Sequence, residues 1–398
     1  MIEELITYSE QRLAKTNNTF NRYITQEIDW SDNLFSIEGA RGSGKTTFLL
    51  QYLKQNLKPK HRLYISLDHL YFQSNNLYSV LEWAATNDIK SVVIDEVHKY
   101  PNWSIEIKNI HDLYDELQVI FTGSALLEIQ NAKADLSRRA VNYRLDTMSF
   151  REFLEFDKNI KTETFSLPEI LKSHAEISQE IKKLTEAPLV HFQRYLKFGA
   201  YPYYKINENN YHHRLMNTFN LVLETDVPAI ENITYTSVLK MKRLLAFVAQ
   251  SVPFKPNITK LAELTESKRD TVLQHLLILE RARILNLLRP ADSTPTNLKK
   301  PEKIFLENPN IAHALTFDKA PDIGNLRESF FYSQLSHEHT VHASKENDFL
   351  IDKKYDFEVG GKGKSSQKLK KKNEFYALDN LEFGVRNRIP LYLFGLMY

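Results

Sequence analysis

Cysteine is absent from this chain of 398 residues. The protein therefore has no disulfide, no thiol nucleophile and no cysteine-ligated zinc site. A chain without disulfides suits a reducing compartment, and we expect a cytoplasmic protein. Residues 1–5 lack the basic and then apolar order of a signal peptide, so we expect none. No apolar run in the sequence approaches the ~20 residues that a membrane-spanning helix needs, and we expect no contact with a membrane.

An excess of charge of either sign is also missing. The 52 basic residues face 50 acidic ones, which gives a net charge of +2 at neutral pH. This balance argues against a protein coated with nucleic acid, so any such contact must come from a local patch. The 42% of hydrophobic residues is enough for packed cores, and the length predicts two or three domains.

Glycine is scarce, at 11 residues, yet three glycines fall within the stretch Gly39-Ala40-Arg41-Gly42-Ser43-Gly44-Lys45-Thr46-Thr47. The stretch matches the phosphate-binding pattern G-x-x-x-x-G-K-[ST]. Glycines let the backbone bend tightly and turn its N–H groups toward phosphates. Lys45 would reach the β- and γ-phosphates, and the Thr46 hydroxyl would bind Mg²⁺. Residues 34–37 before it predict a buried strand, and residues 45–57 an amphipathic helix whose N-terminus favours an anion. The sequence therefore predicts a site for ATP and Mg²⁺.

Residues 91–96 form a β-branched run that ends in two carboxylates, Asp95 and Glu96. Buried parallel strands have this pattern, and ligands bind at their carboxyl ends. Alone, the run would be typical of an ordinary strand with a solvated end. Together with the phosphate loop, it predicts that Asp95 binds Mg²⁺ and that Glu96 is the general base for the attacking water.

The next strand, residues 118–124, ends in polar side chains that would lie beside the γ-phosphate. Thr122 or Ser124 could sense that phosphate, although a strand that simply turns at this point explains either residue equally well. Arg138 and Arg139 precede a fifth strand at residues 140–145. Either arginine could neutralise charge that develops in phosphoryl transfer, and a surface pair at a helix end is the alternative.

Strands that alternate with helices in this way predict an α/β fold with a doubly wound parallel sheet, over residues 1–150. The phosphate loop and four further stretches resemble a large prokaryotic family of AAA-type ATPases that carry a C-terminal domain of unknown function. The four stretches are Val93 to Trp103, Phe121 to Leu126, Leu136 to Arg139, and Ser149 to Phe153. The resemblance covers nearly the whole chain and is strongest up to residue 156.

The resemblance implies an ATPase core, a helical region, a winged helix and a C-terminal part similar to restriction endonucleases. It supports nucleotide-binding and catalytic roles for Lys45, Thr46, Asp95 and Glu96. It extends more loosely to Ser124 and to the arginine pair at 138 and 139. It implies no particular substrate.

The middle of the chain is predicted to be mostly helical. Residues 151–250 contain candidate helices at 166–184 and 211–227, which could form a lid over the nucleotide or simply pack together. Within residues 251–302, two short helices and a strand follow helix-turn-helix spacing, with Ser267 as the cap of the second helix. That helix carries Lys268, Arg269, Thr271 and Gln274. It could contact DNA or a protein with equal expectation.

The last segment, residues 303–398, predicts an α/β domain. Glu328, Asp348 and Glu358 follow the order of carboxylates in metal-dependent nucleases of this fold. The lysine expected two residues after Glu358 is replaced by Gly360, and Lys362 would lie too far along a strand to act at one metal. We therefore expect an inactive nuclease fold. A lysine run could contact phosphates or be a solvated face: Lys362, Lys364, Lys368, Lys370, Lys371, Lys372.

Three hypotheses follow for the function. The first is an ATP-hydrolysing switch whose C-terminal half binds a partner, with DNA as the candidate. The second is an ATP-gated metal-dependent nuclease, against which Gly360 argues. The third is a nucleotide-binding scaffold with negligible hydrolysis, against which Glu96 argues, since binding alone needs no base.

Overall fold

The computed structural model describes residues 2–123, 136, 138–228, 233–250, 255–292, 300–316, 320–363 and 373–398. The chain divides into two compact units, Met1–Asp146 and Thr147–Tyr398. Among the described residues, no helix combines the length and the apolar character that crossing a bilayer requires.

The first unit is built on one parallel sheet. Its strands are β1 (Leu34–Glu38), β2 (Arg62–Ser66), β3 (Ser91–Asp95), β4 (Gln118–Thr122) and β5 (Val141–Arg144). Its helices are α1 (Ile2–Ala14), α2 (Lys45–Asn56), α3 (Leu77–Thr86) and α4 (Trp103–Leu113). The strand order is β2-β3-β4-β1-β5, and every pairing is parallel. Strands β1, β3 and β4 are buried at every position, because helices cover both faces of a parallel sheet.

The phosphate loop lies at the point where the strand order of the sheet reverses. Strand β1 pairs with β4 on one side and with β5 on the other, although neither follows it directly in the chain. Ligands of open α/β sheets bind at the carboxyl ends of strands where the order reverses. The loop after β1 lies at such a point.

The second unit begins with a run of helices. They are α5 (Phe150–Lys158), α6 (Leu167–Thr185), α7 (Pro188–Phe198), α8 (Tyr211–Leu221) and α9 (Tyr235–Gln250). The predicted helix at 166–184 is thus confirmed as α6, and Ser166 forms a capping box with Glu169 at its start. The predicted helix at 211–227 ends its regular α-helical part at Leu221 and continues as a π-helix over Val222–Asp226.

Two short helices and a hairpin follow. Helices α10 (Ile258–Leu264) and α11 (Arg269–Arg281) are joined by a tight turn, and β6 (Leu285–Leu288) pairs antiparallel with β7 (Lys303–Leu306). The predicted cap of α11 is wrong: Lys268 is the N-cap, and the Ser267 hydroxyl instead donates to the carbonyl of Thr265. Residues 303–306, assigned from the sequence to the last domain, form the second strand of this hairpin.

The last part of the chain combines helices with a mixed sheet. Helices α12 (Pro309–Thr316) and α13 (Ile323–Leu335) precede the strands β8 (Val341–Ala343), β9 (Phe349–Ile351), β10 (Tyr355–Gly361), β11 (Glu374–Asp379) and β12 (Arg388–Pro390). The order is β12-β11-β10-β9-β8, parallel from β10 to β12 and antiparallel from β8 to β10. On α13, Phe331 lies 5.2, 5.1 and 4.9 Å from the rings of Phe349, Phe357 and Phe394. The predicted fold class is confirmed: a parallel α/β sheet, a helical region and a C-terminal α/β part.

Candidate nucleotide site

The phosphate loop joins β1 directly to α2, as predicted. Gly42 and Gly44 have φ angles of 85° and 101°, in the left-handed region that glycine enters without steric cost. Gly44 is the residue before α2 and has no side chain to cap it. The first N–H groups of that helix are therefore directed into the loop, where they favour a phosphate.

Lys45 lies in the loop with its ammonium group directed back at the backbone. Its Nζ donates to the carbonyl oxygens of Gly39 and Ala40, at 2.8 and 3.0 Å. The side chain is buried, with 6% of its residue surface exposed. The buried Ser43 hydroxyl has no hydrogen-bond partner within the described part of the chain. A buried cation beside an unsatisfied hydroxyl is an arrangement that suits an oxyanion ligand.

Arg22 supports the loop from the segment that precedes β1. Its Nη1 donates to the carbonyl oxygen of Ser43 at 2.5 Å, and its Nη2 to that of Asp146 at 2.8 Å. The guanidinium is nearly fully buried and thereby joins the loop to the end of the first unit. Nothing in the local sequence around Arg22 marked it, because its partners lie far along the chain.

Asp95 ends β3 and accepts hydrogen bonds on both carboxylate oxygens. Oδ2 accepts from the Thr46 hydroxyl at 2.6 Å and from the Tyr64 hydroxyl at 2.9 Å. Oδ1 accepts from the Thr122 hydroxyl at 2.5 Å and from the backbone N–H of Glu96 at 3.2 Å. The structure thus brings together the predicted pair Thr46 and Asp95, and it places Thr122 beside them.

Tyr64 is a residue that sequence reasoning missed. It lies in the middle of β2, its backbone N–H donates to Ser9 of α1 at 2.9 Å, and its ring packs on Tyr8, 6.0 Å between centroids. Burial, and then the negative charge of Asp95, raise the pKa of Tyr64 far above its usual range. The hydroxyl therefore keeps its proton and remains a donor to Asp95. A tyrosine inside a buried strand is typical of core packing, so the sequence offered no signal.

Glu96 follows β3 in the left-handed region, with φ 56°. A non-glycine residue in this conformation costs roughly 1–2 kcal/mol, which the surrounding fold offsets. Its Oε2 lies 3.3 Å from Nε2 of His98, and the two side chains are 20% and 3% exposed. The predicted base is thus held at the edge of the sheet beside a buried imidazole, which the sequence had not marked.

The two arginines predicted for the site lie in different surroundings. Arg139 forms a two-pronged ion pair with Asp112 of α4, Nε to Oδ1 at 2.6 Å and Nη2 to Oδ2 at 3.0 Å. This pairing matches the surface alternative for Arg139. Arg138 is exposed. Ser124, the other predicted sensor, lies outside the described residues.

The residues predicted to contact a partner are exposed where the structure describes them. Lys268 is the N-cap of α11, Arg269 is its first residue, and Asp270 follows them. Lys362 lies just beyond β10, which ends at Gly361. The rest of the lysine run lies outside the described residues: Lys364, Lys368, Lys370, Lys371, Lys372.

The three carboxylates compared with a nuclease site lie on the predicted elements. Glu328 is in α13, Asp348 directly precedes β9, and Glu358 is in β10. Both Glu328 and Asp348 form ion pairs with Lys303. Within the described residues, three acidic groups close enough to share a metal occur elsewhere, at Glu346, Asp356 and Glu374. The predicted trio is not gathered around one point in this way.

Two family models match parts of the chain. Residues 31–154 match the model described as an AAA domain, and residues 189–322 match a domain of unknown function, DUF8612. Taken with the geometry of the phosphate loop, the first match identifies residues 31–154 as a P-loop domain of the AAA type. The predicted resemblance to AAA-type ATPases with an uncharacterised C-terminal domain is confirmed.

The individual proteins to which the chain is similar share little sequence identity with it, from 12% to 26%. An uncharacterized protein of Methanocaldococcus jannaschii is 26% identical over 338 residues, which cover 77% of this chain and 71% of the relative. A Walker-type ATPase of Pyrococcus abyssi superposes with a TM-score of 0.40 at 12% identity, over 77% of this chain and 95% of the other. AMPPCP-bound DnaA from Aquifex aeolicus gives a TM-score of 0.25 at 14% identity, over 69% and 86%.

Proposed function

We propose that the first unit binds Mg-ATP and hydrolyses it, and that hydrolysis drives a conformational switch which the second unit transmits to a partner. The observation that carries the proposal is the hydroxyl–carboxylate contact between Thr46 and Asp95, 2.6 Å long, beside the buried ammonium of Lys45. The contact joins the end of β3 to the first turn of α2. Hydroxyl and carboxylate oxygens are ligands of the kind that Mg²⁺ prefers, and their position beside the glycine-rich loop supports the proposal.

Each residue of the site has a distinct proposed role. The loop from Gly39 to Thr47 and the N-terminus of α2 bind the phosphates, and Lys45 exchanges two carbonyl acceptors for β- and γ-phosphate oxygens. Thr46 and Asp95 offer oxygen atoms that fit Mg²⁺, which would neutralise charge on the phosphates. Glu96 orients the attacking water and accepts its proton. Thr122 holds Asp95 in place from the neighbouring strand.

Other groups complete the proposed site. Ser124 is proposed as a γ-phosphate sensor, and Arg138 as the cation that stabilises the transition state. Arg138 is exposed, whereas Arg139 already forms an ion pair with Asp112. Of the two arginines, Arg138 is therefore the better supported for this role. The proposed partner of the second unit is duplex DNA, bound through Lys268, Arg269 and the lysine run from 362 to 372.

Two variants separate nucleotide binding from hydrolysis. In Lys45→Ala the phosphates lose their buried cation, and we expect the affinity for a fluorescent ATP analogue to fall by about a hundredfold or more.

In Glu96→Gln the phosphate loop is intact, so Mg-ATP should still bind while phosphate release falls by about a hundredfold or more. Lys54→Ala, which changes a lysine of the same helix that donates to Thr16, is the matched control.

The outcomes test the nucleotide site and the general base, and they separate the ATPase from the scaffold. Wild-type affinity in Lys45→Ala would show that the loop is not the nucleotide site. Binding without measurable phosphate release in the wild-type protein would favour the scaffold. Turnover of Glu96→Gln within a few-fold of wild type would assign the base to another residue.

A further inference from the structure

A buried lysine occupies the point at which the second unit brings two carboxylates together. Lys303 opens β7, Glu328 lies in the middle of α13, and Asp348 precedes β9. The Lys303 Nζ lies 2.9 Å from Oε2 of Glu328 and 2.7 Å from Oδ1 of Asp348. The three side chains are only 10%, 8% and 13% exposed. Three separate elements therefore meet at one ammonium group.

Further contacts fix this cluster in place. The other carboxylate oxygen of Asp348, Oδ2, accepts the backbone N–H of Val359 in β10 at 3.0 Å. The ammonium of Lys303 also lies 5.8 Å from the centre of the Phe349 ring, which attracts a cation. Both oxygens of Asp348 are thus engaged by groups whose positions are set by the sheet and the hairpin.

The electrostatics favour a charged lysine. Burial acts to lower the pKa of Lys303, but the neighbouring carboxylates of Glu328 and Asp348 outweigh it, and the pKa is raised above its usual value. The lysine therefore stays protonated at neutral pH. Two buried carboxylates without a cation would be strongly destabilising, because unpaired charges in a protein interior are poorly solvated.

We infer that Lys303 is the resident cation of a closed cation site, in which its ammonium takes the position that a divalent metal such as Mg²⁺ or Mn²⁺ would otherwise occupy. Mg²⁺ binds oxygen at about 2.0–2.1 Å in near-octahedral geometry. Because the ammonium lies between the facing oxygens of Glu328 and Asp348, a Mg²⁺ bound to both would lie against it, and the two positive charges would repel each other. The second unit thus keeps two of the carboxylates of a nuclease-like arrangement and excludes the metal that cleavage would need.

Removing the ammonium should open the site to a metal. The parent for this experiment is the full chain with Asp95→Asn, which removes the carboxylate proposed to bind Mg²⁺ in the first unit. Mn²⁺ binding is measured by electron paramagnetic resonance. We expect no Asp348-dependent binding in the parent, and one additional Mn²⁺ site, at least tenfold tighter than any background binding, once Lys303→Met is added.

Two controls test whether the new site is the inferred one. Adding Asp348→Asn to Lys303→Met should abolish the gain, because it removes a ligand. Lys303→Arg keeps a cation at the same place and should not gain Mn²⁺. Mn²⁺ binding by the parent that depends on Asp348 would overturn the inference, since metal and lysine would then coexist.

The stability of Lys303→Met supplies a second measurement. A folded Lys303→Met variant, checked by circular dichroism, that binds no additional Mn²⁺ would also overturn the inference. If this variant fails to fold, refolding is repeated with Mn²⁺ present, since an ion that binds only the folded state stabilises it. Rescue by Mn²⁺ supports the cation site, and failure of rescue overturns it.

Discussion

Asp95 is the residue at which strand, helix and loop converge in the first unit. Its carboxylate accepts from hydroxyls on α2, β2 and β4, and it is 4% exposed. A carboxylate held by several donors has a fixed orientation and needs little rearrangement when a cation binds. In the proposed site, the residues that surround Asp95 would therefore affect how tightly it binds Mg²⁺.

Tyr64→Phe should weaken the response to Mg²⁺ without changing the fold. The ring and its packing on Tyr8 remain, whereas Oδ2 of Asp95 loses one donor. A single hydrogen bond contributes about 1 kcal/mol. The Mg²⁺ concentration for half-maximal phosphate release should therefore rise roughly fivefold. Affinity for nucleotide without Mg²⁺ should be unchanged. The measurement is a Mg²⁺ titration of ATP hydrolysis.

Tyr52→Phe is the matched control for this measurement. It removes a hydroxyl that donates to Gln118 at 3.0 Å, in the same unit but away from Asp95. If the two variants respond to Mg²⁺ in the same way, Tyr64 contributes only packing.

The residues that the sequence predicts for the candidate site lie in contiguous motifs. Lys45, Thr46, Asp95 and Glu96 follow strands or open a helix at fixed spacing, and such local patterns can be identified in one sequence. Tyr64 could not be predicted, because an aromatic side chain in a buried strand has the pattern of a core residue. Its hydroxyl becomes relevant only through the pairing of β2 with β3.

At the scale of single elements, helices α8 and α12 each carry one histidine of a stacked pair. The rings of His212 and His313 are stacked, 5.7 Å between centroids. Burial, together with the nearby His212 and Lys197, lowers the pKa of His313 to about 4. The folded protein therefore holds His313 neutral at a pH at which the unfolded chain would protonate it.

The free energy of unfolding should fall as the pH is lowered from 6.5 to about 4, because His313 binds a proton more readily in the unfolded chain. Above pH 6.5 both states leave His313 neutral and the group contributes no pH dependence. Below pH 6.5 the unfolded state binds a proton that the folded state does not. This difference lowers the free energy of unfolding by at most about 1.4 kcal/mol per pH unit. His313→Asn should flatten this part of the profile in urea denaturation. His213→Asn, an exposed position on α8, is the control, and an unchanged slope in His313→Asn would contradict the assignment.

Element boundaries were predicted well where an apolar period defines them, and less well where a cap or tertiary pairing does. The bounds of α10 match the sequence pattern, whereas α11 begins after Lys268 rather than Ser267. The pairing of residues 303–306 with β6 was not predicted from the sequence. Two short apolar runs in one chain do not indicate which strand each will join.

At the scale of the whole molecule, the proposed DNA contact is tested by reversing charge at the start of α11. Lys268→Glu with Arg269→Glu should weaken duplex binding and reduce the salt dependence, by about 0.9 in the log–log slope for each phosphate that the protein no longer neutralises. ATP affinity should not change. Acidic residues in a first helical turn are favourable, so the double variant should remain folded. Binding is measured by fluorescence anisotropy over a series of salt concentrations.

The control for this experiment changes net charge equally at another surface. Lys172→Glu with Lys183→Glu reverses two lysines of α6. Equal loss of binding in both double variants would indicate a general charge effect. Undetectable or salt-independent binding in the wild-type protein would assign the helix pair α10 and α11 to a protein contact.

The long-range ion pairs of the second unit lay beyond sequence reasoning. Lys303 is separated from Glu328 by 25 positions and from Asp348 by 45. Local spacing predicts a lysine only two residues after Glu358, where Gly360 stands. The lysine that contacts the carboxylates arrives instead from β7, which only the folded chain can show.

The division at residue 146 makes the two units optically distinguishable. All three tryptophans of the chain, Trp30, Trp83 and Trp103, belong to the first unit. Indole emission therefore follows the unfolding of residues 1–146, whereas far-ultraviolet circular dichroism follows the helices of both units. A ligand that binds only the folded first unit raises the midpoint detected by emission. The comparison of the two signals then shows directly whether nucleotide also stabilises residues 147–398.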